Sequence, residues 1–311
     1  MSTSTLHIAL RATALAAATL LAACGGGGSD GSTDTSVSMA TAESASANSM
    51  EMPAETTSAM SATMSTAQAV VAGAQAGATY ACLGGGTAVF TATGGTAASL
   101  LNGQLDTGEV YSLQYNACRG SAGAAQINGA MTLTVVSAGS GSVTVATQTQ
   151  GIVVTLPLRT LTLNGSSTFA QTVVTSDASV TTTNHWTSPQ IALTSLRNGI
   201  TSSLTLTNID LTRSMTTTNG LAAGSSHSGT LTLAAALPAN TWTATIATQG
   251  MVSFDASGVP TQGTWAITLP HNAIGLTVAA GTATVTVDNG PDGSIDHTYT
   301  FGANALAAEA V

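Results

Sequence analysis

The sequence predicts an all-β protein: a long antiparallel meander forming a sandwich or barrel-like sheet, placed after a signal peptide and a disordered tether. Three observations predict it. From about residue 79 onward, threonine and serine alternate with valine, leucine, isoleucine or tryptophan, which puts one face of each strand in a core and the other in water. Gly, Asn, Asp and Pro interrupt these runs every ~8–12 residues, the spacing of hairpins. Helical periodicity is nearly absent beyond that point.

At the amino terminus, residues 12–20 are apolar or small and Arg11 is the one basic side chain before them. The run has the length of a signal-peptide core and is too short to span a bilayer, which needs roughly 20 apolar residues. Leu21-Ala22-Ala23-Cys24 follows. This tetrad resembles the lipobox of bacterial lipoproteins. The resemblance implies that residues 1–23 are cleaved and that Cys24 carries a diacylglyceryl group, with the new amino terminus acylated as well. Several acyl chains anchor stably where one does not. Glycine rather than aspartate at position 25 implies, within that family, the outer membrane of a Gram-negative envelope.

Residues 24–66 read as a tether. They are rich in Gly, Ser, Thr, Ala and Met and contain no aromatic residue, too little apolar surface to offset the entropy of ordering. The remaining domain, 67–311, opens with a short helix expected over 67–76 and continues as strands. "MTLTVVS" (131–137), "SVTVATQT" (142–149), "SLTLTNIDLT" (203–212), "GTLTLAAA" (229–236), "TWTATIAT" (241–248), "TWAITLP" (264–270) and "ATVTVDNG" (283–290) each alternate. Branched and hydroxyl side chains suit a pleated surface, and the whole predicts about 14–18 strands. A loose repeat is also visible. Asn128-Gly129, Asn164-Gly165, Asn198-Gly199, Ser228-Gly229 and Gln262-Gly263 each precede a strand, their glycines 36, 34, 30 and 34 residues apart. Uneven spacing favours a meander over a parallel solenoid. The segment 101–135, with an echo at 287–301, is similar to a pattern in uncharacterised proteobacterial outer-membrane lipoproteins. That resemblance implies an envelope location and no activity. A membrane-spanning barrel also alternates, but it needs large aliphatics and aromatic girdles facing lipid. Three Trp, four Tyr and four Phe do not supply them.

The chain has no lysine, and its formal charge of −9 becomes −10 once Arg11 leaves with the leader. Nucleic-acid binding, which needs basic side chains to displace counterions, is excluded, as is a polybasic membrane surface. Cys82 and Cys118 remain as an even pair, which reads as a disulfide in an exported domain. Two free thiols or a metal pair are the alternatives.

Other candidates for chemistry are few. Asp288, Asp292 and Asp296, with Gly290 and Gly293 between them, read as a hairpin turn, or as a weak Ca²⁺ loop. Asp106 and Glu109 form an acidic turn, solvated or, as paired carboxylates, glycan-hydrolysing. His185, His227, His271 and His297 are scattered; they read as surface groups or as parts of an assembled metal site. Met39, Met50, Met52, Met60 and Met64 are thioethers in the tether, inert or Cu(I)-binding. No cofactor is expected. "GSSHSG" (224–229) lacks the spacing of a nucleophile elbow. The expectation is a non-enzymatic, lipid-anchored envelope protein with a structural or interaction domain. Its membrane contact is the acyl group, and its further partner is protein, glycan or lipid. One rival is a carrier with an apolar void on a curved sheet. The other is a glycan-binding or glycan-acting protein with Trp186, Trp242 or Trp265 exposed beside carboxylates.

Overall fold

The computed structural model describes residues 36–73, 79–96, 102–157, 159–237, 241–255 and 258–310. Cys24, the expected leader 1–23 and the expected tether over 24–35 lie outside them. The expected all-β class holds, with an addition that the sequence reading had as a tether. A 35-residue helix, α1 (Met39–Gly73), precedes fifteen strands, and a short helix, α2 (Ala303–Glu309), ends the described chain.

The strands are β1 (Thr79–Ala81), β2 (Thr87–Gly94), β3 (Glu109–Cys118), β4 (Gln126–Gly139), β5 (Ser142–Thr155), β6 (Thr160–Ser176), β7 (Ser179–Arg197) and β8 (Ile200–Thr218). After them come β9 (Leu221–Ala236), β10 (Thr241–Thr248), β11 (Val252–Phe254), β12 (Pro260–Leu269), β13 (Asn272–Ala279), β14 (Thr282–Asn289) and β15 (His297–Gly302). All belong to one antiparallel sheet in which each strand pairs with the next in sequence, except that β10 and β11 share the place between β9 and β12. The edges, β1 and β15, are short strands, a form that limits pairing with other chains.

The sheet wraps α1. The helix packs against β2, β8, β9, β10, β12, β13 and β14, and its side chains also reach β6 and β7. Burial runs around the whole helix, from Ala42 to Val71. Inward-facing Tyr111, Leu133, Val154, Leu163, Trp186 and Trp265 form a single core with Met50, Met52, Met60 and Met64. The expected tether is thus corrected over 36–66, and the expected short helix grows back to Met39.

Two physical features let so polar a helix be buried. Alanine, the best helix former, recurs along it, and its small side chains fit a narrow lumen. Several of the hydroxyls are satisfied without the sheet, because they bond back to their own helix. Thr56 donates to the Met52 carbonyl at 2.6 Å, Thr57 to Pro53 at 2.7 Å, Ser58 to Ala54 at 2.7 Å and Thr63 to Ala59 at 2.9 Å. Such back-bonding satisfies a buried hydroxyl locally. At the start, Ser38 Oγ accepts the Thr41 N–H at 3.2 Å as a cap, and Val37 N–H is held by Asn289 Oδ1 at 2.8 Å. No described helix is long and apolar enough to cross a membrane.

The repeat takes a different form from the expected strand boundaries. Asn198-Gly199 is a hairpin turn, but Asn128-Gly129, Asn164-Gly165 and Ser228-Gly229 lie inside strands, beside bulges. At two of them the asparagine replaces a lost ladder bond. Asn128 Oδ1 accepts the Ala117 N–H at 2.7 Å, and Asn164 Oδ1 accepts the Gly151 N–H at 2.5 Å. Ala117 and Gly151 both have positive φ. Each bulge bends its strand and raises the local twist, so a belt of them across β3–β9 curls the sheet.

Cys82 and Cys118 form the expected disulfide, Cα–Cα 5.5 Å, tying the β1–β2 connection to the end of β3.

Candidate functional site

The interior is where titratable groups gather. Arg159 is 3% exposed. Its Nε lies 2.5 Å from Glu55 Oε2 on α1, and its Nη1 donates to the Met52 sulfur at 3.7 Å. Glu51, one turn earlier, is buried, and desolvation with Glu55 nearby pushes its pKa up to about 8 against the pull of Arg159 and Arg197. Glu55 is raised as well, chiefly by desolvation. Arg197 donates to the carbonyls of Ala307 and Ala310 at the end of α2. Register places Thr160 opposite Leu196, so the two arginines sit side by side at one end of β6 and β7.

Higher in the lumen a relay of amides ties α1 to the sheet. Gln68 donates to Gln171 at 3.2 Å, Gln171 to Asn184 at 3.1 Å, and Asn184 to Ser61 at 2.9 Å. His227 lies between Thr57 (Oγ1 to Nδ1, 3.3 Å) and Ser225 (Oγ to Nε2, 3.0 Å), with the Phe254 ring edge-on at 4.9 Å. Burial, aided by Arg213, lowers its pKa to about 3. A neutral imidazole held by two hydroxyls, with no carboxylate on it, is a poor general base at neutral pH. The geometry is that of a satisfied core histidine.

The remaining histidines do not converge. His185 pairs with Asp210 at 2.8 Å on the outer face, His271 is exposed in the β12–β13 turn, and His297 stacks on Tyr299. Among the described residues no group of three or more His, Cys, Asp or Glu side chains is arranged to hold a metal ion. The proposed Ca²⁺ carboxylates instead close the β14–β15 turn through backbone amides. Asp288 accepts from Asp292 and Gly293 N–H, Asp292 from Ser294 N–H, and Asp296 from Asn289 N–H. Glu109 is wholly buried, where it accepts the Asp106 N–H and the Tyr111 hydroxyl, both at 2.7 Å. That acid pair is a latch on a turn, not a cleft. The four buried methionines pack in the core, while Met39 is exposed.

The three tryptophans are buried, so none is displayed for stacking on a sugar. The concave face that a carrier would need open is occupied by α1; the space beside His227 and Trp265 is about 10 Å³, and one of about 360 Å³ lies near the end of the helix among Gln68, Val71, Ala72, Val143 and Gln171.

The outer face is hydroxyl-lined throughout. One row runs straight across the sheet through Thr91, Ser112, Thr132, Gln148, Ser166 and Gln190, then Thr207, Thr232, Thr245 and Thr268, each opposite the next. None of the ten is buried. Apolar groups inward and hydroxyls outward reverse the pattern of a membrane barrel. Over β4–β8 this face dips into a groove of about 450 Å³. Its walls include Thr134, Thr168, Thr187 and Pro189; the strands beneath carry Thr147, Ser167, Ser188 and Ile209, whose side chains are buried on the inner face of the sheet.

Sequence reasoning overlooked Glu51, Glu55, Arg159, Asn184 and Gln171. One signal was available: in a chain where only 6% of residues are charged, each Glu and Arg inside the ordered region is a candidate pair. Compared with known proteins, the chain matches no family model, no curated protein and no solved structure. The fold and site define a class by themselves: an all-β domain, a single meander curled about an axial helix.

Proposed function

We propose that the chain is a lipid-anchored lipoprotein of the outer membrane whose wrapped sheet serves as a non-enzymatic interaction module. The reading is carried by the uninterrupted outward row of hydroxyl and amide side chains, Thr91 to Thr268. It is a broad row of uncharged side chains suited to contact rather than to proton transfer. The location rests on Leu21-Ala22-Ala23-Cys24. The enclosed Glu51, Glu55, Glu109 and His227 support the non-enzymatic part, since a general acid or base must reach a substrate.

Intact-mass measurement of the protein extracted from membranes tests the anchor. The expected mass is that of the chain from Cys24 plus acyl groups, and Cys24→Ala protein is expected in the aqueous fraction. A full-length, unmodified amino terminus on membrane-extracted protein would refute the placement.

A further inference from the structure

We infer that the groove over β4–β8 binds an uncharged oligosaccharide, an inference that deepens the interaction-module reading and takes its outward face as the contact surface. At about 450 Å³ the groove is within the range of small-ligand sites. It owes its shape to the bulge belt. Register slips between Thr149 and Ile152 on β5, between Ser166 and Thr168 on β6, and between Thr207 and Asp210 on β8. On β7, Pro189 brings no N–H to the ladder at the same level.

The lining chemistry narrows the ligand. The buried hydroxyls beneath the groove are committed to the protein: Thr147 and Ser167 bond each other at 2.7 Å, and Ser188 donates to the Ser166 carbonyl at 2.6 Å. On the walls, Thr134, Thr168 and Thr187 have no side-chain hydrogen bond among the described residues, and Thr168 and Thr187 stand directly opposite each other. Free hydroxyls that both donate and accept match a polyol. Pro189 adds a small apolar area for the C–H face of a sugar ring.

No charged residue lines the groove, and none of the four arginines beyond the leader is among its walls. The nearest charged pair is His185–Asp210, with Asp210 opposite Thr187. An anionic polymer therefore meets no counter-charge and one carboxylate at the rim. A peptide strand has no free sheet edge to pair with, because the groove lies in the middle of the sheet. An acyl chain would strand the wall hydroxyls without partners.

Calorimetric titration of the purified full chain with neutral hexasaccharides of glucose, N-acetylglucosamine and mannose tests the inference. An oligogalacturonate of the same length is the anionic comparison. The expected result is saturable binding of at least one neutral hexamer and none of the anionic one. Thr168→Arg, which fills the groove from an outward position, is expected to weaken binding at least about tenfold, whereas Thr245→Arg, on the outward row but outside the groove, leaves it unchanged. Unaltered melting temperatures of both variants show that each folds. No saturable binding, equal binding of the anionic oligomer, or full affinity in Thr168→Arg would overturn the assignment. None of these bears on the mass of the amino terminus, so the anchor reading stands or falls separately.

Discussion

A sheet that must curl around a helix needs bends at fixed places, and single side chains set them here. At Asn128-Gly129 a bulge in β3 leaves the Ala117 N–H without its ladder partner, and the Asn128 side-chain Oδ1 accepts it instead. Gly129 has φ +99°, and a Cβ there would lie 2.2 Å from the Gly151 carbonyl oxygen on β5. Asn128→Ala should therefore cost about 1–3 kcal/mol, the penalty for an orphaned, partly buried N–H. Gly129→Ala should cost more, because it adds left-handed strain to a backbone clash. Urea denaturation of the two variants checks the order; equal stability of Gly129→Ala and wild type would show that the bend is not set there. The dipeptides were plain in the sequence. Whether Asn-Gly turns a hairpin, as at Asn198, or patches a bulge, as at Asn128, depends on the neighbouring strand's register, which no local pattern contains.

Two elements carry opposite lessons. Strands declare themselves because alternation is a local consequence of having one wet face: Val145, Thr147 and Thr149 are inward, while Ala146, Gln148 and Gln150 are outward. Where β7 and β8 run past the core that alternation fades, and hydroxyl pairs join them instead, Thr181–Thr216 at 2.9 Å and Thr183–Ser214 at 3.0 Å. Helix α1 gives no such sign. It is buried on every side, so it lacks the apolar stripe by which a surface helix is recognised. Its low hydropathy mimics a disordered segment. If α1 is the core of the fold, Met60→Ala, at a side chain 1% exposed, should destabilise by about 2–5 kcal/mol, and a change within experimental error would return the segment to a tether. The Cys82–Cys118 bridge, with a sequence separation of 36, should contribute about 3–4 kcal/mol by restricting the unfolded chain. Comparing Cys82→Ser/Cys118→Ser with wild type under oxidising conditions measures it.

At the scale of the whole molecule, buried titratable groups give stability a defined pH profile. Glu51 titrates near 8 when folded and near 4.5 when unfolded, so its contribution is complete below 4.5 and is lost as pH rises through 8. Glu55, also raised, steepens the same limb. His227 titrates near 3 when folded and 6.5 when unfolded, so its contribution is complete above 6.5 and is lost as pH falls toward 3. Between 4.5 and 6.5 the two slopes oppose, and outside that window each acts alone at roughly 1 kcal/mol per pH unit. The groups facing them are Arg159 and Arg197 on one side and Arg213 on the other; burial pushes Arg159 and Arg213 below the usual guanidinium range. Thermal melts across pH should thus show stability falling on both sides of the window, with Glu51→Gln flattening the alkaline limb and His227→Gln the acid one. A monotonic profile would contradict the burial of one of them. From residue order alone came the strand class, the inward and outward faces and the cysteine pair, since all three depend on local alternation or on counting side chains. Only the tertiary structure decided that a polar helix fills the lumen, that Asn-Gly pairs bend strands, and that Thr134, Thr168 and Thr187 share a groove. Each of those is a relation between segments far apart in the chain, settled by register and enclosed volume rather than by any residue's own preference.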